Sequence, residues 1–200
     1  MSSSTPSNPA QPEWVDDVLH FWFKQFGPAE WFAGGAHVDA LCRERYLPLW
    51  NKLAQATPEQ ACSECNAHPK TSLAAIIVYD QFSRNMFRKT PEAFATDPQA
   101  LALSKEAVAK GFDADCTDQE KLFLYMPHMH SETLADQDAV VGLIEAMGSH
   151  DGKNTAVEFA KEHRDIIAKF GRFPHRNALL GRKNTPEEDE FLQSHKGFGQ

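Results

Sequence analysis

A chain of 200 residues with 42% hydrophobic content is long enough to bury a core and short enough to form one domain. Its formal charge of −8 argues against a nucleic-acid surface, which presents a basic face, and no apolar run approaches the roughly 18 residues of a membrane span. Four cysteines do not make a disulfide framework at this length, so the expected setting is reducing and cytoplasmic.

Residues 1–12 are rich in Ser and Pro and lack the basic and apolar regions of a signal peptide, so they read as a disordered leader. Residues 13–196 read as a single all-α domain of short-looped helices. The first helix is expected over 13–26, where Trp14, Val15, Val18, Leu19, Trp22 and Phe26 recur at helical spacing before Gly27-Pro28. A Gly34-Gly35 hinge precedes a second helix over 37–56, in which Pro48 predicts a kink or break. Thr57 and Pro58 suit the cap and first position of a third. Within it Cys62 and Cys65 have the spacing of a metal or redox pair. No second pair completes a zinc site and no βαβ pattern surrounds them, so they read as ordinary helix residues.

The first chemical signal lies at 71–88. Leu73, Ile76, Ile77 and Asp80 share one helical face, and Arg84 and Arg88 continue it by steps of four. Asp80 thus stands where the apolar stripe predicts a buried residue. A buried carboxylate needs a cationic or hydrogen-bonding partner, and Arg84 is the nearest. A further helix is expected over 98–110. The next runs from Thr117 or Asp118 to a break at Pro127, and one over 132–147 has Ser131 as its cap. His130 and Gln137 fall on the line of that helix's apolar stripe. The last long helix is expected over 155–170, with Phe159, Ala160, Ile166, Ile167 and Phe170 buried and His163 among them.

Lys169 to Lys183 gathers Arg172, His175, Arg176 and Arg182 around two turn signals in an otherwise acidic chain. Gly171 suits a helix C-cap and Pro174 suits the start of another helix, which predicts a rigid cationic elbow able to hold an anion. Phe82-Ser83-Arg84-Asn85 and Phe173 to Asn177 form two similar Arg-Asn hooks. Thr185-Pro186-Glu187-Glu188 then opens a capped terminal helix.

These stretches carry a resemblance. VLHFWF (18–23), DQFSRNMFR (80–88), YMPHMHSE (125–132) and FGRFPHRNALLGR (170–182) with TPEE (185–188) resemble a widespread bacterial family of unknown function. The likeness covers nearly the whole chain from Trp14 to Phe191, and implies an all-helical, tetratricopeptide-like arrangement of helix pairs. The polar positions that match are Asp80, Gln81, Arg84, Asn85, Arg88, His130, Ser131, Glu132, Gln137, His163, Arg172, His175, Arg176, Asn177 and Arg182. The chain departs at Ser83, where relatives often carry Pro, and at Met129.

Two functions fit these residues. In one, Asp80, Arg84, Asn85, Arg88, Gln137, Arg172, His175, Arg176, Asn177 and Arg182 surround a small anionic molecule, with arginines in surplus over carboxylates. His130 or His163 then supplies acid–base chemistry, oriented by Glu132. In the other, the same arginines capture an acidic peptide or a C-terminal carboxylate on a helical scaffold. A purely structural polar network is the third possibility. No cofactor, metal, nucleic acid or membrane partner is implied.

Overall fold

The computed structural model describes residues 11–33, 35–147, 153–195 and 197–198. Among these residues the chain is all α, with ten α-helices and no strand. The leader expected at 1–12 lies outside the described residues save for Gln11 and Pro12, as does Gly34 of the expected hinge.

Helix α1 (Glu13–His20) passes directly into a π-helical turn at Phe21–Gln25. It buries Val15, Val18, Phe21 and Trp22, and the Trp22 indole meets Phe82 and Phe123 edge-on at 5.6 Å. Helix α2 (Ala36–Leu53) contains Pro48 without breaking. Pro48 and Glu44 are both exposed, so the Glu44 carbonyl that loses its helical donor can turn to water. Helix α3 (Pro58–Cys65) starts as expected, with Thr57 and Gln60 exchanging capping hydrogen bonds.

Helix α4 (Pro69–Ile76), a second π-helical turn (Ile77–Phe82) and α5 (Ser83–Met86) form the centre of the molecule. From Thr71 to Met86 every residue is buried except the half-buried Gln81. Asp80 is therefore not a polar interruption of one apolar stripe. It sits on a segment covered on all sides, which raises the need for a partner. Helices α1, α2, α6 (Asp97–Ala109) and α7 (Asp118–His130) pack around that segment.

Three boundaries in the second half differ from the sequence expectation. Pro127 stays inside α7, and the hydroxyl of Ser104 enters the ladder beside it by donating to the Leu124 carbonyl. Helix α8 (Leu134–Ala146) begins after Thr133 rather than after Ser131, whose hydroxyl donates to Asp136 at 2.7 Å instead. Glu132 thereby stays in the link between helices. In α9 (Lys153–Phe170) Ala160, His163, Ile166 and Ile167 are buried as expected, but Phe159 is 47% exposed. Pro174 opens only a 3-10 turn (Pro174–Arg176), too short to present the anion-binding N-terminus expected there; α10 (Pro186–Ser194) follows.

Consecutive helices pack on one another from α6 to α9. In the first half the partners are α1 with α4, α2 with α5 and α3 with α6. None of the described helices is long and apolar enough to cross a membrane.

Candidate functional site

The second π turn carries Asp80, and the carbonyls around it are met by side chains. Ser83 Oγ and Thr96 Oγ1 each donate to the Tyr79 carbonyl at 2.6 Å, and Arg84 Nη1 donates to the Asp80 carbonyl at 2.7 Å. Such single-turn widenings occur often at functional sites. The Asp80 carboxylate is 1% exposed. Its Oδ1 lies 3.1 Å from Arg84 Nη1 and 2.7 Å from Nδ1 of His130 on the last residue of α7, while the Gln81 amide donates to Oδ2.

Arg84 reaches across to the first turn of α6. Its Nη1 and Nη2 lie 3.0 and 3.1 Å from the two oxygens of Asp97. Arg176, from the 3-10 turn, approaches the same Asp97 at 3.5 Å and donates to the His130 carbonyl at 3.1 Å. The two Arg-Asn hooks therefore meet at Asp97, more than 70 residues from the second of them in sequence. The Arg176 guanidinium sits over the rings of Phe94 and Phe173, 4.7 and 4.6 Å from their centroids. His163 stands beside this group, with its ring centroid 6.4 Å from that of His130 and its Nδ1 2.8 Å from the Phe159 carbonyl.

Burial and charge act differently on each member. Burial opposes the charge of Asp80, but Arg84 and His130 outweigh it and hold the carboxyl well below its usual range. Burial also opposes the charge of Arg84, and Asp80 with Asp97 more than restores it. His130 is pushed down by burial, which Asp80 counters without overcoming, so the ring is neutral at pH 7. Burial and the neighbouring His130 lower His163 to about 3. Arg176 differs from the other motif arginines. Burial and the nearby Arg84 pull it down to about 10, because Asp97, Glu132 and Asp80 compensate it only in part. Its buried Nε has no hydrogen-bond partner among the described residues, a feature it shares with Arg84 and Arg182.

Around this cluster lies a clamp of more conventional pairs. Arg182 grips Glu132 through two nitrogens at 2.6 and 2.9 Å, and Glu132 Oε1 also accepts the Phe173 N–H at 2.9 Å. Arg172 grips Glu188 at 2.7 and 2.8 Å, and Asn177 and the Thr185 N–H complete the Glu188 shell at 3.2 and 2.8 Å. Arg88 pairs with Asp39 at 2.8 and 2.9 Å and with Asn85 at 3.2 Å, away from the cluster. The expected surplus of arginines over carboxylates is thus absent: Arg84, Arg88, Arg172, Arg176 and Arg182 each face an acid. Gln137 donates to the carbonyls of Met129 and Ser131, both at 2.7 Å, and so fastens the end of α7. The Glu132 carboxylate is spent on Arg182 and Phe173 rather than on orienting an imidazole.

His175 is half-buried against Phe173 and Phe198, and its pKa falls to about 4 through burial and the nearness of Arg176. Phe198 also stacks on His163, with centroids 3.7 Å apart. Among the described residues no group of three or more His, Cys, Asp or Glu is placed to hold a metal, and Cys62 and Cys65 are free thiols whose pKa burial raises to about 11. The sequence analysis missed Asp97, Asp39 and Glu188, the acids that balance the arginines. Each lies in the first turn of a helix, where an acid is already accounted for by the helix dipole. Two surface concavities of about 520 and 480 Å³ are lined by residues of α9 and α10 and their flanks, among them Lys169 and Phe170; neither is lined by Asp80, Arg84, His130 or Arg176.

Comparison with known proteins agrees with the resemblance. Residues 18–196 match the family described as bacterial protein of unknown function (DUF924), and the chain belongs to that family. It is similar to the solved structure of ATU0120, a protein of unknown function from Agrobacterium tumefaciens, with 34% identity and a TM-score of 0.80. The match covers 91% of this chain and 98% of that one. No curated protein matches the chain.

Proposed function

We propose that the buried cluster holds a small anion, a carboxylate or phosphate, against Arg176, with His130 as the acid–base group beside it. The observation that carries this reading is the state of Arg176. A guanidinium that is 5% exposed, has a single carboxylate shared with Arg84, and is compensated for its burial only in part by Asp97, Glu132 and Asp80 is a cation without a carboxylate of its own. Buried charges in folded proteins are rarely left so. An anion would supply what Asp97 cannot divide between two arginines.

The neighbouring histidines suit the chemistry. Asp80 fixes the His130 ring and leaves its other nitrogen without a hydrogen-bond partner among the described residues, the arrangement of an oriented general base. The His130 side chain is 12% exposed, which gives the cluster an edge open to solvent. Burial of Arg176 favours a small ligand over a peptide laid along a helical groove. The four free cysteines support a reducing, cytoplasmic setting. Arg88, Arg172 and Arg182, each held by its own carboxylate, are structural, and so are Asn85 and Asn177, which brace those pairs, and Gln137, which fastens the end of α7.

The reading is tested by titrating the protein and its Arg176→Met variant with acetate and with inorganic phosphate, followed by thermal unfolding and by the imidazole NMR signals of His130 and His163. The wild type should be stabilised and its imidazole signals should move; the variant should show neither. Equal responses from both proteins would end the proposal.

A further inference from the structure

Beyond α10 the chain lies against three imidazoles. The Phe198 ring stacks on His163, with centroids 3.7 Å apart and planes 17° from parallel. The same ring meets His175, His195 and Phe173 edge-on at 5.5, 5.2 and 6.5 Å. Gly197 sets the approach. Its φ is +80°, and a Cβ there would stand 2.9 Å from Cγ of His175 and 3.0 Å from its Cβ. Glycine alone lets the backbone pass so close and lay the next side chain on His163.

This cover is attached lightly. Phe198 belongs to a small apolar cluster around Ile166, Ile167 and Phe173, apart from the main core, and its ring is half-buried. Among the described residues the tail past His195 makes one hydrogen bond, from the Gly197 N–H to His195 Nδ1 at 3.1 Å, and that bond lies within the tail itself. His195, at the root of the tail, lines the concavity of about 480 Å³ and so borders solvent.

His128 is the contrast. It is 4% exposed against 5% for His163, but it lies inside α7 with its Nδ1 2.9 Å from Ser104 Oγ of α6. Baring His128 requires two helices to part. Baring one face of His163 requires one phenyl ring to leave. Segments with few hydrogen bonds to the body and little buried apolar area open well below the cost of global unfolding.

We propose that the tail is a latch: Phe198 is a cover over His163 that opens while the helical core stays folded. Opening bares the imidazole that stands 6.4 Å from His130, and closing keeps water from it. The tail thereby sets when His163 is reachable from solvent. The latch does not depend on an anion at Arg176.

Carbethoxylation by diethyl pyrocarbonate tests this, because the reagent attacks neutral imidazoles and burial keeps both His128 and His163 neutral at pH 7. Modification of the full chain is followed residue by residue by mass spectrometry, in buffer and in urea below the unfolding transition. His163 should react at least about tenfold faster than His128, at a rate that urea leaves unchanged, while the His128 rate climbs with urea. Phe198→Ala should raise the His163 rate relative to His128 several-fold further. Gly197→Ala, which keeps the phenyl but forces the backbone off His175, should act in the same direction. Referring each rate to His128 removes any general loss of stability in the variants. A His163 rate that equals that of His128 and climbs with urea in the same way would show that the cover leaves only with the fold, and would overturn the proposal. A ratio left unchanged by Phe198→Ala would overturn it as well, since another group would then be the cover.

Discussion

The clamp and the cluster use the same residue types and reach opposite balances. In the clamp, Arg172 and Arg182 each hold a private carboxylate through two nitrogens, and both arginines keep about a quarter of their side chains exposed, 28% and 24%. In the cluster, Asp97 serves two arginines and Arg176 is 6% exposed at its side chain; a buried Nε without a hydrogen-bond partner among the described residues occurs in both regions, on Arg84 and Arg176 here and on Arg182 in the clamp. Bidentate pairing near the surface closes its charge locally, so it can fix the elbow and little else. Shared pairing in the interior balances charge only across the whole group, Arg84 and Arg176 against Asp80 and Asp97, and leaves Arg176 without a carboxylate of its own. That difference, rather than the number of arginines, marks the cluster as the functional region.

Acid should break the two regions in sequence, and it should produce the largest effect. The unfolded chain takes up protons on its histidines below about pH 6.5, whereas burial keeps His128 and His175 neutral to about 4 and His163 to about 3. Between those limits the unfolded state binds more protons, so stability falls as pH falls, by about 1.4 kcal/mol per unit for each histidine that resists charging. The clamp responds later. Glu188, held near 2 chiefly by Arg172, contributes stability above about pH 4.5 that is lost as pH drops toward 2. Urea unfolding at stepped pH should therefore decline steeply from 6.5 to 4. A flat profile over that range would mean that the imidazoles are not buried as described.

Single substitutions sharpen the contrast. Asp80→Ala removes the acid shared by Arg84 and His130 at the most buried point of the cluster, and should cost about 3 kcal/mol or more in urea unfolding. A variant that melts like the parent would remove the central pair from the account. Glu188→Gln keeps the shape of the clamp and weakens its hydrogen bonds, at an expected cost of roughly 1–3 kcal/mol. A loss as large as that of Asp80→Ala would erase the distinction between the regions.

The sequence made the helices legible and hid the balance of charge. Periodicity and caps placed most elements, and the pairing of Asp80 with Arg84 followed from a carboxylate in an apolar run. Prolines misled at Pro48 and Pro127, since both helices run on through them; at Pro48 the orphaned Glu44 carbonyl can turn to water. Phe159 looked buried by spacing and is not. The deeper miss was Asp97. An acid in the first turn of α6 has a sufficient local explanation in the helix dipole, so nothing in one dimension shows that two arginines from distant hooks converge on it. Asp39 and Glu188 were hidden in the same way.

The most direct measurement is the stability of Arg176→Met in urea without added anion. If Arg176 is retained to hold a ligand, its burial is a cost to the empty protein. An apolar side chain of similar length between Phe94 and Phe173 should leave stability within about 1 kcal/mol of the parent or raise it, because Asp97 still has Arg84. A loss of about 3 kcal/mol or more would show that Arg176 is part of the scaffold, as Arg172 and Arg182 are, and would contradict the account.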